Sequence, residues 1–180
     1  MTAIPQVPWL DRDEEQTWRS LRALMTWLPV RLDTQLREDS GLSLTEYRAL
    51  AQISEAPGRA IRLSDLAAGA HMTLSHLSRV ITRLEKQGWV TRTPDPRDGR
   101  FTLGHLTDAG QERVDVAAPG HVRAVRAALF DHLSSEQSSA LGQAAQLIAD
   151  AVAPGPGADA PGRGADAPGR RTEAMSQEET

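Results

Sequence analysis

From Thr73 to Lys86 the chain sets hydrogen-bond donors and positive charge at helical spacing. Ser75, His76, Arg79, Thr82, Arg83 and Lys86 share one side of a helix, and Leu74, Leu77, Ile81 and Leu84 form a stripe that faces a core. A donor-rich, cationic front suits an anionic surface that also offers acceptors. The major groove of DNA is such a surface, with acceptors on the base edges and phosphates along both walls. Arg79, near the middle, has the fork that bonds guanine O6 and N7 together, which makes it the candidate base contact. Ser75 and His76 stand in the first turn, the end that enters the groove. Thr73, Arg83 and Lys86 are placed for phosphates. An ordinary solvated helix face can have the same composition, so the surrounding sequence has to decide.

A second group lies close by. Asp95-Pro96-Arg97-Asp98-Gly99-Arg100 puts Arg97 and Arg100 on a turn between two β-like runs, Trp89 to Thr93 and Arg100 to Leu106, with carboxylates near enough to hold their side chains. An arginine so braced fits the narrow minor groove, whose negative potential favours a guanidinium. The segment from Ile61 to Leu103 holds seven basic and four acidic residues, although the whole chain carries a net charge of −4. Other chemistries find less support. His71, His76, His105, His121 and His132 show no zinc-binding spacing, and no phosphate loop, nucleophile elbow or paired carboxylates occur, so catalysis is rejected. His121 and His132 are eleven residues apart, about three turns if one helix carried both. A metal-responsive regulator is an alternative on that ground alone, and no metal site or cofactor is expected.

The elements that must position these groups are mostly helical. Trp18, Leu21, Met25, Leu28, Leu32 and Leu36 recur every three or four residues, predicting one long helix from Asp11 to Glu38, which Pro29 should kink or split. Ser43-Leu44-Thr45-Glu46 is a capping box that starts a second helix, running to Ser54. Ser64 is expected to cap a short third helix, Asp65 to Gly69. A tight turn through Ala70-His71-Met72 follows, and Thr73 caps the donor-bearing helix, which ends at Gly88. Thr107 starts a further helix, broken or bent near Pro119-Gly120, and a last one spans Ser135 to Val152. Helix, short helix, turn, longer helix and charged hairpin is the order of a winged helix-turn-helix, a mainly α fold with a small β-hairpin wing. Residues 157–163 repeat without change as 164–170, so a disordered Pro/Gly-rich tail is expected over 154–180.

The chain resembles the multiple antibiotic resistance regulator (MarR) family from about Trp18 to Ile148. The likeness is carried by Gly41 to Tyr47, Leu63-Ser64-Asp65-Leu66-Ala67, Leu77-Ser78-Arg79 and Arg83 to Val90. It continues through Asp95 to Arg100 and closes on Leu106-Thr107-Asp108-Ala109-Gly110. The resemblance implies a homodimer joined by its first and last two helices, with residues 1–40 and 108–153 dimerising around a DNA-binding unit at 41–107. It implies recognition helices in successive major grooves of a pseudo-palindromic operator, Arg100 entering the minor groove and Asp98 orienting it. It also implies a repressor released by a small aromatic or carboxylate effector bound between the dimer interface and the DNA-binding lobe. Pro29 departs from the continuous first helix usual in the family, and the repeat tail lies outside its pattern.

Trp18, Met25 and Trp27 are candidates for lining an effector pocket, and core packing of a dimer accounts for them equally well. A winged helix that binds only protein would show apolar residues where this one shows Ser75, His76, Arg79 and Arg83. The chain has no cysteine, no apolar run near the ~20 residues of a membrane span and no signal-peptide pattern at Met1 to Arg12. A cytoplasmic, nucleoid-associated protein is expected, and Lys86 as the single lysine among 20 basic residues suggests a GC-rich bacterial source.

Overall fold

The computed structural model describes residues 7–152; the repeat tail expected over 154–180 lies outside the described residues. The first helix, α1, runs Arg12–Ser40. Asp11 accepts from the backbone of Asp13 and Glu14, and Glu14 returns a bond to the Asp11 amide, so the helix begins on a reciprocal cap. It ends where Gly41 turns left-handed at φ 70°. Pro29 does not split it: α1 is continuous for 29 residues. Proline deletes one ladder bond, and the following turns are held by Leu32 and Leu36, both buried.

Helix α2, Leu44–Glu55, starts on the Ser43–Glu46 capping box as expected. A 3-10 turn at Pro57–Arg59 leads into a strand that local patterning did not reveal, β1 (Ala60–Arg62). Helix α3, Leu63–Gly69, begins two residues earlier than the sequence suggested. Arg62 occupies its cap without a side-chain bond, and Ser64 lies inside the helix, donating to Asp65 instead of capping. Helix α4, Leu74–Lys86, is capped by Thr73, whose hydroxyl accepts from the His76 amide at 3.1 Å. The turn between α3 and α4 is pinned by Met72 N–H donating to Ala67 O, with His71 in the left-handed region at φ 53°. Two further strands, β2 (Val90–Asp95) and β3 (Asp98–Leu106), form the wing. The turn at its tip is tighter than expected, with Pro94 paired to Thr102 and only Pro96 and Arg97 outside the strands. The antiparallel sheet runs β1-β3-β2.

Helix α5, Asp108–Ala128, passes through Pro119-Gly120 unbroken, and α6 spans Ser135–Val152. Proline again removes one bond without dividing the element, since Val114 and Ala117 bury the preceding turns. The core gathers Leu36, Leu42, Leu50, Ile53, Leu66, Leu77, Ile81, Leu84 and Val90 from helices and sheet, all fully buried. The stripe of α4 differs at one end: Val80 joins Leu77, Ile81 and Leu84 in the core, and Leu74 is 55% exposed at the first turn.

The start of α5 is seated very closely on the wing. Thr107 donates its hydroxyl to Gly88 O (2.8 Å) and its amide to Trp89 O (3.1 Å). A Cβ on Gly110 would fall 2.2 Å from Trp89 O and 2.7 Å from Leu106 Cδ1, so only glycine fits there. Arg113, one turn on, donates to Ser40 O and stacks its guanidinium 5.1 Å from the centre of the Trp89 ring, tying α5 to α1 and to the base of β2.

Candidate nucleic-acid interface

Burial of Leu77, Val80, Ile81 and Leu84 fixes the rotation of α4 and turns Ser75, His76, Ser78, Arg79, Arg83 and Lys86 to the surface, with Thr82 half-buried. Two of the polar residues are already engaged. Thr82 bonds back to Ser78 O at 2.9 Å, which removes its hydroxyl hydrogen from outside use. Arg83 donates Nε to Glu46 Oε1 at 3.0 Å, while the other Glu46 oxygen accepts from the Ser43 amide and hydroxyl at 2.9 and 2.7 Å. Burial raises the Glu46 pKa, but the bonds from Ser43 and Arg83 outweigh it and hold the carboxyl below its ordinary range. Arg83 is thereby fixed at the edge of the α4 face.

The wing carries its charges on and beside a two-residue turn. Arg97 is exposed at the tip, and its amide donates to Asp95 Oδ1 at 2.8 Å. Asp95 is only 5% exposed and accepts from Arg62 Nε at 2.6 Å, so it braces the backbone of the turn and not the Arg97 side chain. Asp98 grips Arg100 from both oxygens, at 2.7 to 3.2 Å, leaving the Arg100 side chain 84% exposed but directed. This grip, with the Arg100 amide bond, holds the Asp98 carboxyl below its usual range and raises the Arg100 guanidinium in turn.

Between α4 and the wing lies a hollow of about 280 Å³, bordered by Ser78 and Leu74 from α4, Ser64 from α3, and Arg92 and Arg100 from the sheet. Helix α4, through Leu74 and Ser78, and the wing, through Arg100, therefore border one depression. Ser64, Ser78 and Arg92 are polar residues of this rim that the sequence reading did not assign to DNA contact. Arg92 forms an ion pair with Glu85, so part of the positive charge facing the hollow is balanced within the chain.

The candidate effector residues are not brought together. Trp27 lines a groove of about 760 Å³ between α1 and the end of α5, with Leu24, Leu28, Arg31, Ala127 and His132. Trp18 and Met25 are absent from its lining and stand 48% and 58% exposed elsewhere on α1. His121 and His132 do not share a helix, because α5 ends at Ala128 and His132 lies in a separate 3-10 turn. His121 instead packs its ring 4.6 Å from that of Tyr47. Among the described residues no cluster of histidines and carboxylates is disposed to hold a metal. Nor is any helix among them long and apolar enough to cross a membrane.

An α4 face turned outward beside a three-stranded sheet whose hairpin projects defines a winged helix-turn-helix protein. The MarR family model matches residues 42–102, the span from the end of α1 into β3. Two solved structures are similar along nearly their whole length. One is Sco3205, a MarR family transcriptional regulator from Streptomyces coelicolor in complex with DNA, at 40% identity and TM-score 0.81 over 88% of this chain and 98% of that one. The other is AbsC, a MarR family regulator from the same organism, at 33% identity and TM-score 0.77 over 81% and 97%. The helix-turn-helix transcriptional regulator YkoM of Bacillus subtilis is 29% identical over 105 residues, 58% of this chain and 66% of its own length. The chain belongs to the MarR family of transcriptional regulators, a family of DNA-binding proteins and not of enzymes.

Proposed function

We propose that the protein binds double-stranded DNA as a homodimer at a pseudo-palindromic operator and represses transcription until a small aromatic or carboxylate effector releases it. The observation that carries this reading is the outward, donor-rich face of α4, on a helix whose Leu74 and Ser78 border the same hollow as Arg100 of the wing. In this arrangement Arg79 reads a base edge, with Ser75 and His76 entering the groove beside it. Thr73, Arg83 and Lys86 meet phosphates, and Arg97 and Arg100 approach the minor groove with Asp98 orienting Arg100.

Dimerisation rests on the two ends of the described chain. Helix α6 buries no residue, leaving Leu147, Ile148 and Val152 more than half exposed, and α1 ahead of Pro29 exposes Met25 and Trp27. The proposed division is dimerising segments at 1–40 and 108–153 around a DNA-binding unit at 41–107. For the effector, the Trp27 groove offers an apolar wall with Arg31 and His132 beside it, a setting for a planar ring bearing a carboxylate. Such a regulator acts in the bacterial cytoplasm, at the nucleoid. Selection from a randomised duplex library tests the core of the proposal. It should return inverted repeats with half-site centres about 10 bp apart, one helical turn. Recovery of unrelated sequences with no two-fold pattern would remove it.

A further inference from the structure

The wing extends beyond the support of its sheet. Strand β1 pairs with β3 only from His105 to Leu103, so residues 94–102 have no third strand beside them. One side chain spans that gap. Arg62, the last residue of β1 and the cap position of α3, sends its guanidinium along the projecting hairpin and touches both of its strands. It donates to Asp95 at the end of β2, 2.6 Å away, and lies 4.5 Å from the centre of the Phe101 ring on β3. Asp95 sits at the register shift between Pro94 and Asp95, where the ladder loosens, and its second oxygen accepts from the Arg97 amide in the turn. A continuous chain of bonds therefore runs from the body of the fold through Arg62 and Asp95 to the backbone of the tip. The carboxylate in the middle is almost excluded from water, so losing Arg62 leaves it with one backbone donor, and the turn must rearrange to hydrate it.

We propose that Arg62 is a positioning residue for the wing: through Asp95 and Phe101 it sets the angle at which Arg97 and Arg100 are presented to DNA, without touching DNA itself. The inference rests on the reading of the wing as a minor-groove element. Arg62 belongs to neither the α4 face nor the wing by position in the chain, and it stands 33 residues from its carboxylate partner.

The test is affinity for one operator with A/T-rich or G/C-rich flanks, measured for full-length variants whose dimer mass and thermal melt match the wild type. Arg97→Ala and Arg100→Ala establish the wing's contribution; if neither alters affinity or flank preference, the minor-groove reading fails and this inference falls with it. If they do, Arg62→Gln should erase the same flank preference, and Asp95→Asn should copy it. Arg62→Lys, which keeps the charge but not the fork, should restore it in part. In the Arg62→Gln background Arg97→Ala should cost at least about twofold less affinity than in the wild type, the non-additivity of residues acting through one element. The cost of Arg79→Ala should not change. Uniform weakening on both flanks with a shallower salt slope, not copied by Asp95→Asn, would make Arg62 a direct phosphate contact and overturn the proposal. Should Arg62→Gln fail to fold, Asp95→Asn and Arg62→Lys still decide it: wild-type flank preference in both counts against a positioning role.

Discussion

Helices α4 and α6 are both amphipathic, with 13 and 18 residues, yet α4 buries four apolar side chains and α6 buries none. The apolar residues of α4 meet α2, α3 and the sheet inside the same chain. Those of α6 beyond the half-buried Leu141, namely Leu147, Ile148 and Val152, meet water. Isolated helices gain little from propensity alone and persist by packing one face, so an 18-residue helix with a bare apolar side is incomplete as drawn from one chain. Helix α1 contains the same contrast within itself: Leu32 and Leu36 are buried, while Met25, Trp27 and Val30, a turn or two earlier, are more than half exposed. Among the described residues the centre of the molecule is self-sufficient and the two ends are not, and the proposed function assigns DNA reading to the one and assembly to the other.

The sharpest way to break this contrast is to attack α6. Leu147→Asp with Ile148→Asp should reduce the sedimenting mass from twice the 19.5 kDa chain to one chain. Operator affinity should fall roughly 10²-fold or more, as two linked half-site contacts become independent. A double variant that still sediments at twice the chain mass would put the dimer contact elsewhere. The matching change in α4, Leu77→Ala, should instead cost about 2–5 kcal/mol of folding stability in a denaturant melt, because it opens a cavity in a complete core.

Within the DNA-reading half, Arg79→Ala should cost roughly 1–3 kcal/mol on the cognate site and flatten preference at one position per half-site. Arg83→Ala should weaken all sequences about equally and make the salt dependence shallower, with a smaller total effect because Glu46 already occupies part of its charge. Binding to a site library at two salt concentrations separates the two. Parallel loss for Arg79→Ala with a redrawn site for Arg83→Ala would mean that α4 meets the groove with another face.

The smallest expected effect is on pH. Burial against Tyr47, with the charge of Arg48 nearby, holds the His121 pKa below its ordinary value. The unfolded chain then takes up this proton first, so stability fully present above about pH 6.5 is lost progressively as pH falls from there through the lower pKa of the folded state. Glu46 and Asp98, with carboxyls held low, add their own loss only as pH approaches about 4. The melting temperature should begin to fall near pH 6.5, and His121→Phe should remove the decline between there and pH 5. A flat profile for the wild type across that interval would contradict the assignment.

What the sequence disclosed follows the range of the forces involved. The Ser43–Glu46 capping box, the α4 periodicity and the hairpin arise among residues within a few positions of one another, and they could be read directly. Strand β1 could not, because Ala60-Ile61-Arg62 is too short to alternate and exists only by pairing with β3, more than 40 residues on. The pairs Arg62–Asp95 and Arg83–Glu46 are likewise tertiary, joining elements distant in the chain. At Pro29 and Pro119 the local rule allows a bend or a break, and buried residues after the first (Leu32, Leu36) and before the second (Val114, Ala117) keep each helix continuous. Leu74 fits the apolar spacing of α4 but lies at the first turn, beyond the reach of the core.

Gly110 has a mechanical consequence. Its backbone rests directly on the Trp89 carbonyl with no side chain as a cushion, and Thr107 is bonded across the same seam. A joint of this kind has no backlash. Rotation of α5 is delivered to the root of β2 without slack to take it up, so a pull exerted among the helices far from DNA arrives at the wing as motion and not as local compression.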